Sequence, residues 1–320
     1  MLRPVLRPPP LKRGDVVRIV APAGPFDPEL FEKGLEVLRQ RFGLVPRMRP
    51  DITARDRYLA GDDARRVAEW LEASSDGDAR AIWCARGGYG SLRILGKLEA
   101  GRLFHPPKVV VGFSDITAVH AVLNRAGLVT VHGPVVTQLS RLGPAALDHL
   151  EVLLFGGAPP PADRQAAVPA PGRGVVAAAV LRAGVASGPL LGGSLTVLSH
   201  LCGTSWQPRF AGAVVFLEDV GERPYRLDRM LTQLRLAGAF DRVAAICLGQ
   251  FTQCDDPDLP GIEVVRRLAW ELNVPAIEGI PAGHEDPNLA LPMGSIVTVV
   301  GPRRPEEGPP RLVFEQGATA

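Results

Sequence analysis

Uninterrupted β-branched runs, each giving way to a stretch of helical period, constrain this 320-residue chain more than any other feature of it. Lys108-Val109-Val110-Val111 breaks at Gly112, and residues 117 to 123 then carry apolar side chains on a helical period that ends before Gly127. A strand without polar alternation is buried on both faces, as a parallel strand between two layers of helix is. The succession recurs along the first half. Residues 15 to 21 read as a strand closed by Pro22 and Gly24, 28 to 41 as a helix, 44 to 48 as a strand and 64 to 73 as a helix. Residues 80 to 85 follow as a strand, then a Gly-rich turn and a helix to Leu98; 129 to 132 is a strand, followed by helix through Leu153. This alternation predicts an α/β fold with an open, mostly parallel sheet flanked by helices.

The length predicts two domains. Residues 156 to 174, rich in Pro, Gly and Ala, cannot hold regular structure for long and read as the linker. The expected division is therefore an N-terminal domain over 1–155, the linker over 156–174 and a C-terminal α/β domain over 175–320. In that second part Gly192-Gly193-Ser194 precedes a helix over 195 to 201, and 213 to 217 is a buried strand ending in Glu218-Asp219. An amphipathic helix runs through Tyr225, Leu227, Met230, Leu231 and Leu234. Strand, helix and a short apolar run follow at 243 to 249, 261 to 272 and 276 to 280, then a loop to Asn288 and strands near 296 to 300 and 311 to 315.

No apolar run approaches the roughly 18 to 20 residues of a membrane span, and the Pro- and Arg-containing N-terminus has no apolar core of a signal peptide. A soluble, cytoplasmic protein is expected. Thirty-six Lys and Arg against 34 Asp and Glu give a net charge of +2 with no long block of one sign, so nothing points to nucleic acid. The four cysteines are scattered without a Cys-x-x-Cys pair, as reduced thiols are.

Three polar residues follow apolar runs: Ser114, Glu218 and His284. In open α/β sheets the functional crevice lies at the carboxyl ends of the strands. A hydroxyl, a carboxylate and an imidazole arriving there have the composition that a nucleophile, its base and an orienting acid require, in a chain order that hydrolases use. Ser114 could instead be a helix N-cap, because Gly-Phe-Ser-Asp-Ile matches only the first half of a Gly-x-Ser-x-Gly elbow. His284 stands in a turn-like setting of Gly283, Asp286, Pro287 and Asn288, unlike the histidines in helical patterns. Glu285 and Asp286 beside it suggest a metal, but no second histidine lies at ligand spacing, and no metal or cofactor is expected. Arg86-Gly87-Gly88-Tyr89-Gly90 fits neither a dinucleotide fingerprint nor a Walker loop. It is either a structural tight turn or a place where backbone N–H groups approach a small ligand. A nucleotide-binding module without hydrolysis is the reading from a different class.

Taken together, several ordered motifs resemble the L,D-carboxypeptidases of the S66 serine peptidases, a family that includes muramoyltetrapeptide carboxypeptidases and microcin C self-immunity hydrolases. The resemblance runs from about residue 14 to about residue 300. It rests on Ala21-Pro22-Ala23-Gly24, Ala85 to Gly90, Gly112-Phe113-Ser114-Asp115 and His132-Gly133-Pro134. Further on it rests on Gly192 to Leu195, Leu217-Glu218-Asp219, Tyr225 to Arg229, and Gly283-His284 with Asn288. It implies a Ser114, His284, Glu218 triad with the active site between the two domains, and an oxyanion hole from the N–H groups of Asp115 and the Gly87-Gly88 turn. It also implies removal of a terminal D-alanine from a cell-wall tetrapeptide during cytoplasmic recycling, and a homodimer. A peptidyl or aminoacyl nucleotide is the alternative substrate. The substrate's terminal carboxylate needs a cation, for which Arg86 is the candidate.

Overall fold

A computed structural model describes residues 5–98, 106–156 and 172–320. The first half runs β1 (Val16–Val20), α1 (Pro28–Gln40), β2 (Val45–Arg47), α2 (Asp63–Ser75), β3 (Ala79–Cys84), α3 (Ser91–Ile94), β4 (Val109–Gly112), α4 (Thr117–Arg125), β5 (Thr130–His132), α5 (Val136–Leu139) and α6 (Pro144–Phe155). The second runs β6 (Gly174–Val176), β7 (Ala179–Arg182), β8 (Gly184–Ser194), α7 (Leu195–His200), β9 (Val214–Val220), α8 (Pro224–Leu236), β10 (Ala245–Thr252), α9 (Gly261–Leu272), β11 (Ala276–Glu278), β12 (Leu291–Met293), β13 (Ile296–Gly301) and β14 (Arg311–Phe314). The architecture is α/β, with two sheets and flanking helices. Most of the stretch expected to be a linker, 157–171, lies outside the described residues, as does His105.

The first sheet has the order β12-β5-β4-β3-β1-β2. Its five strands from the first half are parallel, and β12 returns from the far end of the chain to pair antiparallel with β5, Leu291 opposite His132. The chain reverses its direction across this sheet between β1 and β3, which makes the carboxyl ends of those two strands the switch point where α/β sheets open a crevice. The helices follow from their sequences. In α1 the buried residues are Phe31, Gly34, Leu35 and Leu38, one stripe at helical spacing, and Asp27 caps the first turn by accepting from the N–H groups of Glu29 and Leu30.

The second sheet has the order β6-β14-β13-β8-β9-β10-β11-β7, parallel from β8 to β11 and antiparallel outside them. The glycines before α7 are the end of β8, an 11-residue strand whose composition carries no strand signal. Close packing explains that composition. A Cβ on Gly192 would stand 1.9 Å from the Phe216 carbonyl oxygen, and one on Gly188 would stand 2.3 Å from that of Gly212. One buried apolar cluster includes Val17, Trp83 and Val131 beneath the first sheet together with Phe216, Leu291 and Phe314, so the two sheets share a core.

Candidate active site

Ser114 begins a short 3-10 turn, Ser114–Ile116, between β4 and α4. Phe113 before it is extended, and Ser114 itself has a φ of +62°. A non-glycine residue in that left-handed region costs about 1–2 kcal/mol and needs its surroundings to hold it there. The helix-cap alternative does not apply, because Phe113 occupies the cap position of the turn and no side chain caps it. The hydroxyl instead lies 3.1 Å from Nε2 of His284.

Glu218 is fully buried within β9, opposite Ser194 of β8 rather than past the strand end, and its Oε2 lies 2.8 Å from Nδ1 of His284. A carboxylate only accepts, so Nδ1 carries the proton and donates to Glu218; in the neutral ring Nε2 is then free to accept from the Ser114 hydroxyl. His284 sits in the loop between β11 and β12. Its neighbours are pinned: Gly283 N–H donates to Asn288 Oδ1 at 3.1 Å and Glu285 N–H to Gln250 Oε1 at 2.8 Å, while Gln250 Nε2 donates to the Pro287 carbonyl at 3.1 Å. Burial pulls the His284 pKa down, but the hydrogen bond and charge of Glu218, aided by Asp219, outweigh it and leave it raised. Asp219 is itself pushed up to about 6 by burial and by the neighbouring Glu218, and accepts from the Thr196 and Val220 N–H groups at 2.6 and 2.8 Å. The Phe113 ring packs 4.8 Å from that of His284, and His132, fully buried, lies behind Phe113.

The Gly87-Gly88 turn lies against the serine. A Cβ on Gly87 would crowd the serine, 3.2 Å from its hydroxyl oxygen, and Gly88 has a φ of +104°, which favours glycine. Two buried groups hold the turn. Arg66 Nη1 donates to the Pro22 and Gly90 carbonyls at 2.6 and 2.8 Å, and the Asp115 carboxylate accepts from Ser91 N–H at 2.8 Å. Burial raises the Asp115 pKa. Arg86 donates from Nη1 to the Pro25 carbonyl at 2.5 Å and lines a cavity of 660 Å³ with Arg55, Gln138 and Arg141.

The arrangement is that of a serine hydrolase, and the likeness to known proteins agrees with it. Residues 17–133 match the LD-carboxypeptidase N-terminal domain of the S66 peptidases, and residues 187–299 match the C-terminal domain. The chain belongs to the LD-carboxypeptidase family. It is 34% identical to a murein tetrapeptide carboxypeptidase of Pseudomonas aeruginosa over 90% of this chain and 94% of that one. It is also 26% identical to the microcin C7 self-immunity protein MccF of Escherichia coli, over 89% and 90%. A crystal structure of muramoyltetrapeptide carboxypeptidase from Oxalobacter formigenes superposes with a TM-score of 0.79 at 27% identity, covering 93% of this chain and 98% of that chain. Two residues of this serine-type carboxypeptidase that sequence reasoning does not single out also hydrogen-bond around the site. Arg66 lies in an ordinary charged helix and Gln250 in a strand, and no spacing links either to Ser114.

Proposed function

We propose that this enzyme removes the terminal D-alanine from murein tetrapeptides through an acyl-enzyme on Ser114, with His284 as general base and acid and Glu218 as the group that orients it. The observation that carries this reading is the hydrogen-bonded line from Ser114 through His284 to the buried Glu218. Ser114 Oγ attacks the carbonyl that precedes the D-residue as its proton passes to His284 Nε2, and Glu218 stabilises the resulting imidazolium. The oxyanion forms beside the N–H groups of Asp115 and the Gly87-Gly88 turn, whose nearness to Ser114 Oγ supports that role. His284 then gives the proton to the leaving amine, D-alanine departs, and water repeats the sequence in reverse to free the serine. Arg86 is the proposed partner of the D-alanine carboxylate.

The substrate is drawn from the Pseudomonas relative. The likeness to MccF keeps an aminoacyl nucleotide as the second reading. Placement in the cytoplasm is proposed with the recycling role; among the described residues no helix is long and apolar enough to cross a membrane. The division into 1–155 and 175–320 around a linker is likewise proposed, supported by the two sheets and the two matched segments.

Kinetics with a muramoyl tetrapeptide and an aminoacyl sulfamoyl adenylate side by side test the reading. Release of D-alanine is expected, and Ser114→Ala and His284→Ala should each lower turnover by about 10⁴-fold or more with the fold intact. Near-native turnover in Ser114→Ala would remove the triad, and cleavage of the adenylate alone would remove the murein substrate.

A further inference from the structure

The 660 Å³ cavity opens at the switch point of the first sheet, between residues 25 to 30, where the loop that leaves β1 enters α1, and Arg86, which follows β3. Three arginines from separate segments converge on it: Arg55 ahead of α2, Arg86, and Arg141 after α5. All three are exposed, and among the described residues none is in an ion pair. Elsewhere arginines are matched, Arg65 with Glu69 and Arg93 with Asp63. The acid in the cavity wall is Asp27, and its Oδ1 already accepts from the first turn of α1. Three guanidinium groups against the one carboxylate of Asp27 leave the cavity cationic by two charges, so its guanidinium groups repel one another.

Two of its wall residues also connect it to the reacting centre. Arg86 leads directly into Gly87, which touches Ser114. Gln138, in the cavity wall, accepts from Asn288 Nδ2 at 3.3 Å, and Asn288 holds the N–H of Gly283 next to His284. Through Arg86 and Gln138 the cavity wall is thus linked to both the glycine turn and the histidine loop. One guanidinium matches one carboxylate in a bidentate pair. The carboxylate of the released residue therefore accounts for one arginine and leaves two.

We infer that Arg55 and Arg141, beside Arg86, form an anion subsite that selects peptides carrying an internal carboxylate in addition to the terminal one. The inference rests on the L,D-carboxypeptidase reading above and assigns specificity to that same site. These arginines bind and orient the peptide and take no part in bond making.

The test compares two tetrapeptides that end in the same L,D-bond, one with free internal carboxylates and one with those carboxylates amidated. The wild-type enzyme is expected to prefer the free acid by about tenfold in kcat/KM, with the difference falling on KM. In Arg55→Gln and Arg141→Gln the preference should collapse towards one, and raised salt should erode it in the wild type. Equal kcat/KM for the two peptides in the wild type overturns the subsite without need of a variant. So does a preference that survives both substitutions. Failure of the wild type to release D-alanine from either peptide would instead overturn the proposed function.

Discussion

His284 is pulled in opposite directions by its surroundings, and the outcome sets the pH range in which it can act. Burial opposes the charged ring, whereas Glu218 at 2.8 Å favours it, and the net effect is a pKa above the ordinary value of 6.5. A general base must be neutral, so activity is lost as pH falls through that raised pKa. The acid limb of kcat/KM is therefore expected to have its midpoint above 6.5, measured on D-alanine release across pH 5 to 9. Glu218→Gln removes the largest interactions that raise the pKa, so the limb should move down while turnover falls about 10⁴-fold. A limb that stays in place in Glu218→Gln would mean that another group titrates there. At this scale the site is partly legible in the sequence. Ser114, Glu218 and His284 stand out because each follows an apolar run, and Gly87 and Gly88 because consecutive glycines need a reason. Arg66, whose guanidinium ties the Pro22 loop to Gly90, does not stand out, because an arginine in a charged helix looks the same whether it is solvated or, as here, fully buried.

Elements with a clear period were legible and those shaped by contact were not. α1, α2, α8 and α9 follow from apolar spacing, and β4 from three valines. β8 does not, because its backbone comes so close to β9 at Gly192 and to Gly212 at Gly188 that side chains are excluded, and with them the alternation that marks a strand. β12 is only three residues long, and its pairing with β5 bridges more than 150 residues of sequence, which no local pattern records. The same kind of contact fixes α1 against α5. A Cβ on Gly34 would lie 1.9 Å from the carbonyl oxygen of Val136 and 2.7 Å from its carbon, backbone atoms that cannot step aside. Gly34→Ala should therefore lower stability by about 2–3 kcal/mol in urea unfolding even though alanine is the better helix former. Gly77→Ala is the control, since a Cβ there meets nothing within 4 Å, and should change stability by less than about 0.5 kcal/mol. Equal effects at the two positions would show that α1 can shift to relieve the contact.

The whole molecule is arranged so that neither sheet completes the candidate site. Ser114 and the glycine turn come from the first sheet, Glu218 from the second, and His284 from the loop that leads out of the second sheet into β12 of the first. The halves are also stitched by hydrogen bonds outside the triad. Thr117 Oγ1 accepts from Ser194 N–H at 3.1 Å, Asn124 Nδ2 donates to the Met293 carbonyl at 3.1 Å, and His149 Nε2 lies 2.9 Å from the Ala290 carbonyl. Leu291 and Met293 are fully buried, so residues 1–155 alone would expose the edge of β5 and the apolar surface those two side chains cover. That fragment is expected to lack a cooperative unfolding transition, even though it matches a domain of its family. A chain cut once at a protease site introduced between residues 157 and 171 is expected to behave differently, because these contacts and the shared core hold the halves together without the covalent link. Its two pieces should co-elute in gel filtration and keep D-alanine release within about fivefold of the intact chain, since breaking the link leaves the contacts in place and lowers only the effective concentration of one half for the other. Separation of the pieces, or cooperative folding of residues 1–155 alone, would mean that the two sheets are independent units and that the return of β12 is incidental to the fold.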